Sequence, residues 1–170
     1  MAEETPEAAA QQAQPQAPNI SIKAQLVRAM TFRNAGALQT PEGPPSVTVN
    51  IHVDAGKRTE TDFMVGLRIE ASSKTETQEF YEISLDYAGV FEVTNYEARM
   101  LEPILLIECP RILFPFARRI IADVTRDGGY APLMLDPVDF VALYRREVSR
   151  RSQQENGAGA EVAEAKPAVN

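Results

Sequence analysis

Cys109 and His52 are the single cysteine and the single histidine of this 170-residue chain. Nucleophile-plus-base catalysis would need the two to meet in space, and a structural zinc site wants four ligands. His52 falls on the polar side of an alternating run, beside Asn50 and Asp54, so the pattern predicts a solvated strand residue. Cys109 stands in Glu-Cys-Pro within an apolar stretch, where a packed and inert thiol is expected. Asp136 and Asp139 make a carboxylate pair, but Asp136 ahead of Pro137 reads as a helix N-cap, with Asp139 in the first turn. Gly56-Lys57 lacks the upstream glycine and the following Ser/Thr of a phosphate loop. Neither Gly-x-Ser-x-Gly nor His-Glu-x-x-His occurs. These residues predict no enzyme, no catalytic residue, no metal site and no cofactor.

The elements around them suit one domain with tails. Hydrophobic residues are 44% and charged residues 24% of the chain, close to the globular average. The net charge of −7 divides as −3 in residues 1–19, −2 in 152–170 and −2 between them. An acidic balance without a basic stripe argues against nucleic acid and against an anionic membrane surface. The apolar run around Pro103–Ile107 is far too short to span a bilayer, and the acidic N-terminus is unlike a signal peptide. With one cysteine, a reducing cytoplasm is the expectation. Residues 1–19 and 152–170 have little to bury and are expected to be disordered tails around a domain at 20–151.

The first half of that domain alternates with period two. Ile20–Phe32 places Ile20, Ile22, Ala24, Leu26, Met30 and Phe32 on one expected face, interrupted by Arg28. Asn34–Pro45 is a long loop. Val47, Val49, Ile51 and Val53 alternate with polar residues, as do Phe63, Val65, Leu67 and Ile69. A fourth strand is expected at Phe80–Tyr87. Short polar turns between the later runs imply antiparallel hairpins. If Phe80–Tyr87 were an edge strand, it would offer unpaired backbone groups to a partner.

From Asn95 to Arg126 the period becomes three to four, with Leu101, Leu105, Leu113, Phe116, Ala117, Ile120 and Ile121 on it. Pro103, Pro110 and Pro115 predict a kinked or two-piece helix, ended by Gly128 and Gly129. A last helix is expected at Pro137–Arg151, with Arg145, Arg146, Arg150 and Arg151 at its C-terminal end. The result is an α+β class: a four-stranded antiparallel sheet, a long kinked helix and a C-terminal helix. Ile104-Leu105-Leu106-Ile107 is apolar on every side of a helix, which one small sheet cannot cover. A second subunit or a ligand would complete the cover.

Pro110-Arg-Ile-Leu-Phe-Pro-Phe-Ala-Arg-Arg119 and Thr125-Arg-Asp-Gly-Gly-Tyr-Ala-Pro-Leu-Met-Leu-Asp-Pro-Val-Asp-Phe-Val-Ala-Leu-Tyr144 resemble the SecB family of bacterial export chaperones. Gly89-Val-Phe91 and Ile104–Cys109 fit as well. The resemblance covers about residues 20–150 and is nearest to alphaproteobacterial members; the strand half matches mainly in pattern. It implies a cytosolic, ATP-independent holdase that binds unfolded preproteins and delivers them to the SecA motor. It implies a homotetramer, a dimer of dimers, with neither cofactor nor membrane insertion.

The resemblance also implies site residues. A client-binding groove would gather Val47, Val49, Ile51, Leu133, Leu135, Phe140, Leu143 and Tyr144. Contacts to SecA would fall at Glu82, Ser84 and Asp86 and at Ala29 and Arg33. The oligomer interface would include Ile83, Leu85, Tyr87, Leu105, Leu113, Phe116 and Ile120. Two departures stand out. Positions that are acidic in the family read Ala29 and Arg33 here, and the loop Asn34–Pro45 is shorter and lacks tryptophan. They leave a second reading open: a SecB-like chaperone that holds another partner, such as an antitoxin, without SecA. A third, a small-molecule protein using the apolar groove, would need a defined ligand and a dry pocket.

Overall fold

The structure is a computed structural model that describes residues 17–36, 39 and 42–161, with side chains described as far as Gln153. Of the expected acidic tails, residues 1–16 and 162–170 lie outside the described residues. Four strands, β1 (Asn19–Asn34), β2 (Ser46–Lys57), β3 (Asp62–Lys74) and β4 (Glu79–Thr94), form one antiparallel sheet in the order β1-β4-β3-β2. β4 is therefore central, paired on both sides, and offers no free edge. It also runs to Thr94, beyond the expected end at Tyr87. Gly89 is the reason that part was hidden: it interrupts the alternation of apolar residues without changing the strand.

β1 departs further from simple alternation. Its register against β4 shifts between Ile22 and Ala24 and again between Val27 and Ala29. Directly opposed residues share a face, so the register assigns faces. Ile20, Ile22, Val27, Met30 and Phe32 oppose Val93, Phe91, Tyr87, Leu85 and Ile83 on the helix side. Ala24 and Leu26 oppose Val90 and Ala88 on the other side. The expected single apolar face is thus split, because each bulge inserts one residue and inverts the pattern behind it.

The helices all lie on one side of the sheet. α1 (Ala98–Pro103) leads into a π-helical turn at Ile104–Glu108 and then α2 (Cys109–Asp127). This is the two-piece helix that the prolines foretold. The Cys109 N–H reaches back to the Ile104 carbonyl, five residues away, ahead of Pro110, which has no N–H to donate. α2 ends in a Schellman arrangement. The Tyr130 N–H bonds the Thr125 carbonyl, the Gly129 N–H bonds that of Arg126, and Gly129 carries φ 91°.

The last helix, α3 (Phe140–Glu161), begins later and ends later than expected. Asp139, not Asp136, is its N-cap: Oδ1 accepts the Ala142 N–H at 3.0 Å, and its carbonyl accepts the Leu143 N–H. Arg145, Arg146, Arg150 and Arg151 consequently sit in mid-helix rather than at its end.

α2 packs over β3 and β4, while α3 rests on the π-helical turn, which in turn covers β2 and β3. Val65, Leu67, Ile69, Ile83, Leu85, Phe91, Leu113, Ala117 and Ile121 form the core between these layers. The crossover segment after α2 is tied down by Thr125. Its hydroxyl donates to the Ile121 carbonyl at 2.8 Å and accepts the Leu133 N–H at 2.9 Å.

Candidate functional site

Every other residue of β2 points to the helix side: Val47, Val49, Ile51 and Val53 oppose Ser73, Ala71, Ile69 and Leu67. The core covers only part of this row. Val47 and Val49 remain 45% and 37% exposed, and Ile51 and Val53 are half-buried. Beyond them the backbone of the π-helical turn and of α3 leaves a gap. A cavity of about 210 Å³ opens there, lined by Ile51, Val53, Leu106, Leu143 and Tyr144, with His52 of the edge strand, Glu147, Arg150 and Arg151 also bordering it. A second of about 440 Å³ adjoins it, among Val53, Ala55, Ala98, Leu101, Leu105 and Leu106, with His52, Asp54, Glu102 and Arg151 also bordering it.

The floor of both is aliphatic and the rim is charged, but the rim charges are paired. Glu147 pairs with Arg150 at 2.9 Å, and Arg151 bridges to Glu102 at 3.1 Å. The Tyr144 phenol is raised from its ordinary value, first by desolvation and then by the carboxylate of Glu102, which it also hydrogen-bonds. Such a trough takes apolar and aromatic side chains out of water and offers an uncharged peptide little to oppose it.

Of the residues expected in the groove, Ile51, Leu143 and Tyr144 line the cavity, Val47 and Val49 extend its floor, and Leu133 is half-buried. Leu135 and Phe140 are core instead, 4% and 1% exposed. Phe140 meets Phe114 edge to face at 6.0 Å. Being apolar, whether just ahead of α3 like Leu135 or at its start like Phe140, was not enough to tell lining from core. Val53, Leu101 and Leu106 were missed, although Val53 continues the same alternation. Glu102 and Arg151 carried no signal, because nothing in the sequence brings residues so far apart together.

The opposite face of the sheet is a lattice of ion pairs. Lys23 binds Asp62 and Glu92 at 2.7 and 3.0 Å, and Arg28 binds Asp54 and Asp86, each at 2.8 Å. Arg33 binds Glu79 and Glu82, while Arg68 approaches Asp86 at 3.5 Å. The expected docking residues all fall here: Ala29 opposes Asp86, Arg33 opposes Glu82, and Ser84 opposes Thr31.

The residues expected at an oligomer interface divide. Ile83, Leu85, Leu113, Leu105 and Tyr87 are buried within the single chain, whereas Phe116 is 43% exposed and Ile120 half-buried. β1 adds Ile22, Val27 and Met30, exposed on the helix side, where α2 does not reach over them.

Cys109 is fully buried and its thiol is pushed up to about 12 by that burial, with Glu108 adding to the effect. His52 is exposed on the outer side of β2, opposite Arg68. Among the described residues no group of His, Cys, Asp and Glu could hold a metal ion, and no helix is long and apolar enough to cross a membrane.

The described family "Preprotein translocase subunit SecB" matches residues 12–151. The protein-export protein SecB of Dinoroseobacter shibae is 46% identical over 167 residues, spanning 93% of this chain and 97% of that one. That of a Bradyrhizobium species is 46% identical over 138 residues, spanning 79% of this chain and 85% of its own. Among solved structures, a Mycobacterium tuberculosis SecB-like chaperone in complex with an antitoxin peptide shares the fold at a TM-score of 0.62. It is 13% identical and covers 71% of this chain and 91% of its own. A family match over most of the chain, carried on the same sheet, kinked helix and C-terminal helix, means that this chain belongs to the SecB family.

Proposed function

We propose that this protein is a cytoplasmic, ATP-independent export chaperone that holds unfolded preproteins in the trough between β2 and α3. The observation that carries this reading is the open aliphatic trough of Ile51, Val53, Leu106, Leu143 and Tyr144, bordered by charges already paired with one another. Burying a client's apolar side chains there yields about 25 cal/mol per Å² without any sequence motif.

A homotetramer would multiply such weak sites along one client and raise their effective concentration. The exposed helix-side row of Ile22, Val27 and Met30, with Phe116 of α2, supports a contact with a second copy. Delivery to SecA would use the outer sheet face around Glu82, Ser84 and Asp86. Arg33 pairs with Glu82 there, and Arg28 and Arg68 pair with Asp86, so the contact would meet carboxylates already paired within the sheet, with Glu82 the more exposed of the two. The alternative of an antitoxin chaperone without SecA is not favoured, since the similar relatives are protein-export proteins.

Light scattering of the purified chain, alone and with a denatured slow-folding preprotein, tests the reading. A mass near four subunits and one soluble complex are expected, followed by a salt-sensitive complex with SecA. A stable monomer that leaves the preprotein to aggregate would refute it.

A further inference from the structure

The two cavities of the trough lie end to end and share His52, Val53, Leu106 and Arg151. Of these four, Arg151 is the one whose side chain bonds to another element, and its partner Glu102 lines the second cavity. From α3 its Nη1 donates to Glu102 Oε1 of α1 at 3.1 Å, and its Nε lies 3.7 Å from Glu147 Oε1. Beyond Tyr144, every residue of α3 with a described side chain is exposed, except Glu147. That part of the helix therefore has no buried apolar anchor. The bond to Glu102 is the only hydrogen bond or ion pair, among the described residues, that ties it to another element.

We propose that the Glu102–Arg151 pair is a latch that decides which client segments the trough accepts. Closed, it keeps two separate chambers, each suited to a short apolar segment. Open, it joins them into one trough that takes a longer extended segment. The idea rests on the trough being the client site.

The energetics suit a latch. Both side chains are about half exposed, 52% and 53%, so the pair shifts an equilibrium by only a few-fold. A client that buries enough apolar surface can displace it. Salt screens such an exposed pair, so ionic strength opens it as well. Arg151→Gln removes it without touching the aliphatic floor, whereas Glu102→Gln also alters the carboxylate that the Tyr144 phenol hydrogen-bonds.

The test uses the full chain and two fluorescent leucine- and phenylalanine-rich peptides, one short enough for a single chamber and one spanning both. Affinities are read by anisotropy for the parent, Glu102→Gln, Arg151→Gln, the exchanged pair Glu102→Arg with Arg151→Glu, and Tyr144→Ala. Each single neutralisation is expected to tighten the long peptide by about two- to fivefold and leave the short one unchanged. The exchanged pair should return the parental ratio, and added salt should favour the long peptide in the parent but not in the single variants. An unchanged long-to-short ratio in both single variants, or an exchanged pair that behaves like them, would overturn the latch. Tyr144→Ala separates the two ideas. If it weakens both peptides while the neutralisations do nothing, the latch alone fails. If it changes neither, the reading of the trough as the client site fails and the latch falls with it.

Discussion

Arg28 of β1 and Asp54 of β2 come from the two opposite edge strands, yet Nη2 of the first sits 2.8 Å from Oδ1 of the second. Gly66 between them makes the approach possible. A Cβ there would lie 2.3 Å from Arg28 Nη2 and 2.5 Å from Asp54 Oδ1. Asp86 holds the same guanidinium from the central strand at 2.8 Å, and both carboxylates raise Arg28 above its ordinary value, Asp54 first. The outer face is thereby clasped across its full width.

Gly66→Ala tests the clasp. Two effects oppose one another. Alanine favours a strand over glycine by about 0.5–1 kcal/mol. Forcing the flexible ends of Arg28 and Asp54 apart forfeits an exposed pair worth about 0.2–1 kcal/mol. Urea unfolding should therefore place the variant within about 1 kcal/mol of the parent. A double-mutant cycle between Arg28 and Asp54 should show coupling in the parent and none in the Gly66→Ala background. Coupling that survives there would show that the glycine is not what admits the pair.

Two aromatic residues of α3 should behave in opposite ways. Phe140 is 1% exposed and packs on Phe114, so Phe140→Ala should destabilise the fold by about 3–5 kcal/mol in denaturant. Tyr144 lines the open cavity and is half-buried, so Tyr144→Ala should lose only about 1–2 kcal/mol. The second variant, still folded, should hold denatured preprotein less well in an aggregation assay. Equal losses of stability would place both side chains in the core.

Thr125 joins α2 to the crossover segment through one hydroxyl. Valine at this position keeps the shape and strands the Leu133 N–H. Thr125→Val should lower stability by about 1–3 kcal/mol. Native-state hydrogen exchange should quicken at Leu133 before it does in the sheet. Unchanged protection at Leu133 would mean that another group holds the segment.

Cys109 predicts an alkaline limit. Its thiol titrates at about 12 in the folded chain against 9.0 for a free thiol. Between those values the unfolded state has lost the proton and the folded state has kept it. The unfolded state then binds fewer protons, so stability falls as pH rises through that window, and is unaffected by this group below it. Cys109→Ser or Cys109→Ala should flatten part of that decline. At pH 8 a thiol reagent should modify the native protein only at the rate of its opening. Rapid labelling without unfolding would show that the thiol is not enclosed.

Much of this architecture was written along the chain. The alternation of Val47 to Val53 and of Phe63 to Ile69, the shift to helical period after Asn95, and the glycines at 128 and 129 are local signals. Backbone geometry reads them directly. The Pro110–Arg119 run and the Thr125–Tyr144 segment carried the family with them. The clear errors lie where a local pattern had two physical solutions. Asp136 and Asp139 could each cap α3, and it is Asp139 that accepts the Ala142 N–H, at a start three residues later. The apolar residues of β1 were assigned one face, because a bulge leaves no mark in composition.

Sequence alone determined the α+β class, the order of the elements, the broken helix and the family, because periodicity, proline and capping act over a few residues. Tertiary structure decided which apolar side chains are core and which line the trough. It made β4 central, left β2 and β1 as edges, and brought Glu102 to Arg151 and Arg28 to Asp54. The reason is the same in each case: burial and ion pairing depend on what lies across the sheet or on the next helix. Residues far apart in the chain carry no local sign of one another.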